Sequence, residues 1–361
     1  MKRTLISAIA LLACIVGMQA QTQVIAHRGF WKTEGSAQNS ITALEKATEA
    51  KLYGSEFDVQ ITLDGKLIVN HDSKFQGFVI AETPYKDLKK IRLQNGEKLP
   101  TLKKYLKKGK KQDIQLILEI KSHKSKEVED KMAADIVKMV KKMGLEKQVE
   151  YIAFSLNVCE QLAKLTPESE IAYLNGDVAP AELKKKGING IDYNQSVLLN
   201  KHPEWVKEAQ DLGMKVNVWT VNKEENMKKL IDMKVDYITT DHPLEVKKLL
   251  ELLLFYKYQF RQIISSLSDI LQKPIQLGFC HFRSTAQYPQ IIVGTASNQG
   301  IMIVLVQFQD VIIGIDPEKE RNFQSSGIFF RVGLLAFTYN FFRLSVLDTM
   351  IYDTDFSIVF Q

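Results

Sequence analysis

The stretch SEFDVQITLDGKLIVNHD, residues 55–72, carries the pattern that decides the fold prediction. Its first half alternates as a β-strand does, so that Phe57 and Val59 point to one side while Glu56 and Asp58 point to the other. Burying two carboxylates in step on one face of a strand is costly unless they are compensated. The stretch therefore predicts a strand with an apolar core on one face and a charged, functional group of side chains on the other.

A short strand followed by a helical segment recurs from residue 24 to about residue 250. The strand candidates are QVIAH (23–27), SEFDVQI (55–61), KLIVNH (66–71), IQLILEIK (114–121), VEYIAFS (149–155), EIAYL (170–174), GIDYN (190–194), KVNVWTV (215–221) and DYITTD (236–241). This alternation predicts βαβ units and a parallel sheet. About eight units in roughly 230 residues fit a (β/α)8 TIM barrel. A doubly wound open sheet is the alternative, but no glycine-rich nucleotide loop follows the first strand.

The amino-terminal segment, residues 1–20, has the pattern of a secretory signal peptide. Lys2 and Arg3 precede an apolar run, and Ala20 offers a small residue for cleavage. A membrane-anchoring helix is one alternative, although the apolar run is short for a span. A lipoprotein signal ending at Cys14 is another, although the apolar stretch continues past that cysteine. We therefore expect an exported protein, periplasmic or secreted, whose barrel occupies residues 21–250.

The carboxyl-terminal tail, residues 251–361, has a different composition from the rest. It holds 13 of the 18 phenylalanines but only eight of the 48 lysines and arginines, and the strand–helix rhythm stops. Two interpretations stay open: an appended β-rich or membrane-surface module, and a tail that did not evolve with the barrel. The chain as a whole is 45% apolar and 25% charged with a net charge of +6, which is typical of a globular protein and indicates no nucleic-acid partner.

Acidic side chains stand where the predicted strands end, and barrel enzymes act at the carboxyl ends of their strands. Glu56 and Asp58 lie on one strand, and Glu119 lies on the strand that reads LILEIK. Their carboxylates are hard oxygen donors that could converge on one divalent cation, Mg²⁺ or Ca²⁺. No cysteine or histidine spacing indicates zinc. The sequence therefore predicts a carboxylate-bound cation at this end of the barrel.

Histidines and cations accompany these carboxylates. His27 and His71 are candidate acid and base groups, because histidine titrates near neutral pH. Arg28 and Lys121 are candidate phosphate contacts. A single residue of this kind is ordinarily a structural histidine or a solvated strand edge. Their coincidence at four successive strand ends predicts a site that cleaves a phosphodiester.

At these residues the sequence resembles the glycerophosphodiester phosphodiesterase family. The resemblance rests on AHRGF (26–30), QNSITAL (38–44), EFD (56–58), TLDG (62–65), HD (71–72), LEIK (118–121), VWTVN (218–222) and YITTDHP (237–243). It covers about residues 23–250, and the first motifs in this order are specific. Where many members have Pro-Glu-Asn, this chain has Ala37-Gln38-Asn39, so a carboxylate is missing at residue 38.

The resemblance implies a TIM barrel that hydrolyses glycerophosphodiesters to glycerol 3-phosphate and an alcohol. The roles that it implies are metal ligation by Glu56, Asp58 and Glu119, acid–base catalysis by His27 and His71, phosphate contact by Arg28 and Lys121, and lining of the glycerol side by Trp219. Two alternatives use the same site. One is a phospholipase D-like enzyme that cleaves lysophospholipid or sphingomyelin at a membrane surface. The other is a phosphodiester-binding protein without turnover, of which Gln38 would be the trace.

Overall fold

The protein's structure is a computed structural model that describes residues 22–272, 280–282, 291–296, 301–306 and 335–338. Its first eleven strands are β1 (Gln23–Ala26), β2 (Gly54–Ile61), β3 (Leu67–Val69), β4 (Lys74–Phe75), β5 (Phe78–Val79), β6 (Gln115–Ile120), β7 (Val149–Ala153), β8 (Ile171–Tyr173), β9 (Gly190–Asn194), β10 (Lys215–Trp219) and β11 (Tyr237–Thr240). The α-helices are α1 (Ile41–Glu49), α2 (Tyr85–Leu88), α3 (Leu102–Gly109), α4 (Lys126–Met143), α5 (Leu156–Leu165), α6 (Pro180–Lys185), α7 (Glu204–Asp211), α8 (Glu224–Asp232) and α9 (Pro243–Gln272).

Eight parallel strands close into a ring in the order β1, β2, β6, β7, β8, β9, β10 and β11. The first strand completes the ring because it pairs with β2 on one side, Ile25 facing Gly54, and with β11 on the other, Gln23 facing Tyr237. Helices lie between consecutive strands, as right-handed crossovers of parallel strands require. The predicted (β/α)8 TIM barrel is confirmed.

The alternation of β2 sets the two faces of the barrel wall. Phe57 and Val59 are fully buried in the core between strands and helices, and the Phe57 ring stacks on Tyr105 of α3 at 4.3 Å. Glu56 and Asp58 are also buried, on the opposite side of the same strand. Because successive side chains of a strand point to opposite faces, the carboxylates face the barrel interior. This is the arrangement that the sequence predicts.

Serine side chains fix where several helices begin. Ser40 accepts a hydrogen bond from the backbone N–H of Ala43 at 2.9 Å, at the start of α1. Ser155 does the same for Val158 at 3.3 Å, at the start of α5. Each such cap satisfies a backbone donor that the helix leaves free, and each contributes about 1 kcal/mol. Only residues 154 and 155 separate β7 from α5, whereas a longer loop, residues 27–40, leads from β1 to α1.

The strand predicted at 66–71 is real but does not belong to the barrel ring. β3 runs antiparallel to β2, with Val59 facing Val69 and Ile61 facing Leu67. Only the five residues TLDGK, 62–66, connect the two strands, which explains the difference, since a parallel crossover needs a dozen or more residues. Counting this run as a barrel unit was wrong, and the ring consists of the other eight predicted strands.

A small lobe, residues 70–100, follows β3 and precedes α3. Its buried side chains Phe75, Ile80, Leu88, Leu93 and Leu99 form an apolar cluster separate from the main core, together with Ala37 and with Ile68 of β3. The short hairpin of β4 and β5 and the helix α2 belong to this lobe. Because the lobe begins directly beside β2, its first residues lie near the carboxylates of that strand.

Beyond the barrel, α9 continues to Gln272 and thus crosses the predicted boundary at residue 250. Four further strands, Cys280–Phe282, Ile291–Ala296, Ile301–Val306 and Leu335–Thr338, form an antiparallel sheet in chain order. The predicted signal peptide, residues 1–20, lies outside the described residues. None of the helices in the described ranges combines the length and apolar character needed to cross a membrane.

Candidate active site

Three buried carboxylates meet at one point inside the barrel. Glu56 and Asp58 come from β2, and Glu119 comes from the neighbouring β6, where its Cα lies opposite that of Asp58. One carboxylate oxygen of each lies within 4.8 Å of those of the others. The three residues are only 3%, 1% and 7% exposed. The structure therefore brings together the residues that the sequence predicts as metal ligands.

Backbone and amide donors orient two of these carboxylates. The N–H of Arg28 donates to Glu56 Oε2 at 2.6 Å, and the Asn39 side-chain amide donates to Asp58 Oδ2 at 2.7 Å. Among the residues described, Glu56 Oε1 has no hydrogen-bond partner. An unpartnered buried carboxylate oxygen is costly, and ligation of a cation removes that cost. Three hard oxygen donors with one free oxygen fit Mg²⁺ or Ca²⁺.

The charges of the cluster lead to the same conclusion. Burial, with the charges of Asp58 and Glu119, raises the pKa of Glu56 well above its ordinary value. Burial and the Asp58 charge raise the pKa of Glu119 to about 8. Burial opposes ionisation of Asp58 too, but the Lys121 ammonium holds its pKa below the ordinary value. Three ionised carboxylates at this spacing therefore need more positive charge than Lys121 alone supplies.

Lys121 follows directly after β6, and its side chain is 19% exposed. Its Nζ lies 2.7 Å from Glu119 Oε1 and 3.3 Å from Asp58 Oδ1. Burial alone would lower the pKa of Lys121, but the two carboxylates raise it, so the side chain is a permanent cation. It is placed at the edge of the carboxylate cluster, where a phosphate oxygen could reach both Lys121 and a cation.

The loop after β1 places the predicted His27 and Arg28 at the same end of the barrel. Arg28 and Gly29 adopt left-handed backbone angles, with φ of 56° and 77°. This turn directs the Arg28 N–H at Glu56, while its guanidinium donates from Nη1 to Gln38 Oε1 at 2.8 Å and from Nε to His27 Nε2 at 3.2 Å. Gln38 lacks the charge of a glutamate but still holds the Arg28 side chain.

His27 is held by an aspartate that the sequence reading missed. His27 Nδ1 lies 2.8 Å from Oδ1 of Asp241, which is the residue directly after β11. The indole N–H of Trp31 donates to the same oxygen at 3.1 Å, and the Asn222 amide donates to Oδ2 at 2.8 Å. The signal for Asp241 was present, because ring closure places the end of the last strand beside the end of the first.

His71 belongs to the lobe and not, as predicted, to the end of a barrel strand. It follows β3, and its Nδ1 lies 2.7 Å from Oδ1 of the exposed Asp72. The Gln60 amide of β2 donates to the carbonyls of Asn70, His71 and Asp72 at 3.0, 2.9 and 2.6 Å. This clamp holds the loop against the strand that carries the carboxylates. Burial lowers the pKa of His71, which favours the neutral imidazole at pH 7.

Trp219 ends β10 and forms an aromatic corner of the site. Its indole N–H donates to the Asp192 carbonyl at 2.8 Å, and its ring meets that of Phe154 edge-on at 5.5 Å. Lys121 Nζ lies 5.9 Å from the centre of the Phe154 ring. The corner therefore borders the cation that stands beside the carboxylates. Phe154, which directly follows β7, was not among the predicted site residues.

Comparison with known proteins agrees with this geometry. Residues 27–245 match the glycerophosphoryl diester phosphodiesterase family. The chain belongs to this family. It is therefore an enzyme of the phosphoric diester hydrolase class, and the resemblance noted in the sequence is confirmed.

Individual relatives of the glycerophosphoryl diester phosphodiesterase family support the assignment. The crystal structure of a glycerophosphodiester phosphodiesterase from Parabacteroides distasonis is 51% identical, with a TM-score of 0.64, over 65% of this chain and 99% of that chain. A glycerophosphodiester phosphodiesterase of Caldanaerobacter subterraneus is 29% identical over 62% of this chain and 95% of its own length. An Oleispira antarctica phosphodiesterase, solved with the product sn-glycerol-3-phosphate, is 23% identical with a TM-score of 0.56 and shares the fold over 64% of this chain and 97% of its own.

Proposed function

We propose that the protein hydrolyses glycerophosphodiesters to glycerol 3-phosphate and an alcohol in a reaction that depends on one divalent cation, Mg²⁺ or Ca²⁺. The observation that carries the proposal is the buried cluster of Glu56, Asp58 and Glu119, in which Glu56 Oε1 has no partner among the described side chains. His27 and His71 stand near this cluster on two different elements, as a reaction with one proton taken and one given requires.

The carboxylates would hold the cation, which when bound polarises a phosphoryl oxygen and stabilises the charge that develops there. Arg28 and Lys121 would bind the phosphate, since both are cations beside the cluster and Lys121 Nζ is already 2.7 Å from Glu119. One histidine would take the proton of the attacking oxygen, and the other would protonate the departing alcohol. The corner of Trp219 and Phe154 would pack against the carbon skeleton of the glycerol.

The hydrogen bonds made by Gln60 and by Arg28 support the roles proposed for the two histidines. Gln60 fixes the loop of His71 to β2, the strand that also holds two of the proposed ligands. Arg28 connects the backbone of the first loop to Glu56. Both proposed acid–base groups are thus held in fixed positions relative to the carboxylates. Such positioning accelerates a reaction that depends on the orientation of the reacting groups.

The test is release of glycerol 3-phosphate by the full chain from a panel of glycerophosphodiesters that differ in head group. We expect release that a chelator stops and that added Mg²⁺ or Ca²⁺ restores. The same cation should raise the melting temperature, and Glu56→Gln should abolish that rise, because binding to the folded state stabilises it. Cation binding without release from any substrate would favour a binding protein. Cyclic phosphate formed from lysophospholipid instead would favour the phospholipase D-like alternative.

We also propose that the protein is exported to the periplasm or secreted. The support is the basic and apolar pattern of residues 1–20. Fractionation of cells that express the full chain, with determination of the mature amino terminus, tests the proposal. A mature chain that begins at Gln21 in the exported fraction agrees with it, whereas a cytoplasmic chain that begins at Met1 contradicts it.

A further inference from the structure

The two histidines of the site have unequal supports. His27 and His71 each have an aspartate oxygen near Nδ1, at 2.8 and 2.7 Å respectively. The Asp241 side chain beside His27 is 14% exposed, whereas that of Asp72 beside His71 is 76% exposed. A carboxylate shielded from water interacts more strongly with its neighbour than one in bulk solvent. The two contacts therefore look alike in distance but differ in strength.

Asp241 is itself fixed in place. It accepts hydrogen bonds from the Trp31 indole at 3.1 Å and from the Asn222 amide at 2.8 Å, and its own backbone N–H donates to Asn222 Oδ1 at 3.0 Å. Burial opposes its ionisation, but the hydrogen bonds from His27, Asn222 and Trp31 hold the pKa of Asp241 well below its ordinary value. The group is thus a permanent acceptor with a single orientation.

The backbone completes this support. The His27 N–H donates to the Thr240 carbonyl at 3.0 Å, so the residue before Asp241 holds the main chain of the same histidine. The Thr240 hydroxyl donates to Asn222 Oδ1 at 3.1 Å. Main chain and ring of His27 are therefore both fixed by the last strand of the barrel, at the point where the ring of strands closes.

We infer that Asp241 is a positioning residue that keeps the proton of His27 on Nδ1 and presents Nε2 to the substrate, with Asn222 and Trp31 as its supports. An acceptor-only carboxylate at Nδ1 selects this tautomer. The contact from Arg28 Nε, 3.2 Å from His27 Nε2, agrees with it, because a guanidinium can only donate. Asp72 cannot act equally on His71, since water competes for its oxygens. The inference rests on the proposed catalytic role of His27.

The experiment compares Asp241→Asn with Asp72→Asn in the full, cation-loaded chain, with His27→Ala as reference. An asparagine keeps the shape of Asp241 but can donate to Nδ1, which favours the wrong tautomer. We expect Asp241→Asn to lower kcat on the order of 10²-fold with little change in KM, because a positioned acid or base contributes 10²- to 10⁴-fold. Asp72→Asn should lower kcat by about threefold, as expected for an exposed pair.

Two further readouts separate positioning from a merely structural role. Nitrogen-15 spectra of the imidazole rings should show His27 protonated at Nδ1, and Asp241→Asn should move that proton to Nε2 or mix the two forms. Glu245→Gln serves as the matched control, since Glu245 lies in the first turn of α9 and contacts His242, the residue after Asp241, and not His27. It should leave both kcat and the His27 signals unchanged.

The outcomes distinguish this inference from the proposed function. If His27→Ala is inactive while Asp241→Asn matches the unmodified protein in kcat and in the nitrogen signals, the positioning role is refuted and the proposed function stands. Equal losses in Asp241→Asn and Asp72→Asn would also refute it, because burial would then make no difference. An active His27→Ala would refute the proposed role of His27 and this inference with it.

Discussion

Replacing Gly29 with alanine tests why the loop after β1 requires glycine. Gly29 has a left-handed backbone with φ of 77°, and a Cβ there would lie 2.6 Å from the Cβ of Ala43 and 2.9 Å from its carbonyl carbon. Gly35 offers a matched control, since it has φ of 73° but no atom within 4 Å of the added Cβ. The two substitutions therefore share the backbone strain and differ in the collision with α1.

The magnitude follows from these two contributions. A left-handed backbone costs an alanine about 1–2 kcal/mol, and forcing an extra methyl group into a packed contact costs about 1–3 kcal/mol more. Gly35→Ala should therefore lower the free energy of unfolding by about 1–2 kcal/mol and Gly29→Ala by about 2–5 kcal/mol. In a barrel of this size the second change corresponds to a melting temperature lower by roughly 4–20 °C.

Thermal unfolding of both variants, monitored by circular dichroism, measures the difference in stability between them. Turnover measures the effect of each substitution on the site. In Gly29→Ala the loop must move away from α1, which would break the 2.6 Å contact between the Arg28 N–H and Glu56. We expect turnover to fall about tenfold or more, because small displacements of positioning groups are costly, while Gly35→Ala keeps it. Equal stability losses in both variants would refute the reasoning from the Ala43 contact.

Three further predictions concern His71, Gln38 and Glu170. His71→Ala should abolish most turnover and leave the melting temperature within a few degrees, since the His71 side chain is only partly buried, at 32% exposed; near-normal turnover contradicts its role. Gln38→Glu should retain activity within a few-fold because Arg28 keeps its partner, whereas Gln38→Ala should weaken phosphate binding, measured as a higher KM. Burial and the nearby Glu150 charge raise the pKa of Glu170 from 4.5 to about 8, so this group favours the folded state below pH 4.5 and loses that contribution as pH rises towards 8. Glu170→Gln should therefore raise the melting temperature at pH 8 more than at pH 5 in the cation-loaded protein, and an equal effect at both pH values contradicts the sign.

Local alternation was enough to predict the barrel and its carboxylates. Glu56 and Asp58 face the opposite side from Phe57 and Val59 because side chains alternate along a strand with a period of two residues. The folded barrel keeps this alternation. Glu119 could be predicted for the same reason, since parallel neighbours carry their polar ends to the same side of the barrel. The sequence was therefore sufficient to predict those residues whose positions depend only on the alternation within a strand and on the order of the strands.

Residues fixed by loops could not be predicted in the same way. The run before His71 has the composition of a barrel strand, and only the short TLDG turn distinguishes an antiparallel hairpin from a crossover. The contacts of Asp241 with His27 and of Gln60 with three carbonyls depend on chain segments that meet only in the closed fold. Phe154 is similar, because its place beside the site follows from its contact with Trp219 of another strand and not from its own segment.

Because of the lobe between β3 and α3, the two histidines stand on different parts of the fold. His27 stands on the barrel, whose main core includes Phe57 and Val59, whereas His71 stands on a segment with its own apolar cluster around Ile80 and Leu88. Evolution can therefore change the surroundings of one histidine without changing those of the other. A lineage could lengthen, shorten or repack the lobe while the strands that carry Glu56, Asp58 and Glu119 stay as they are.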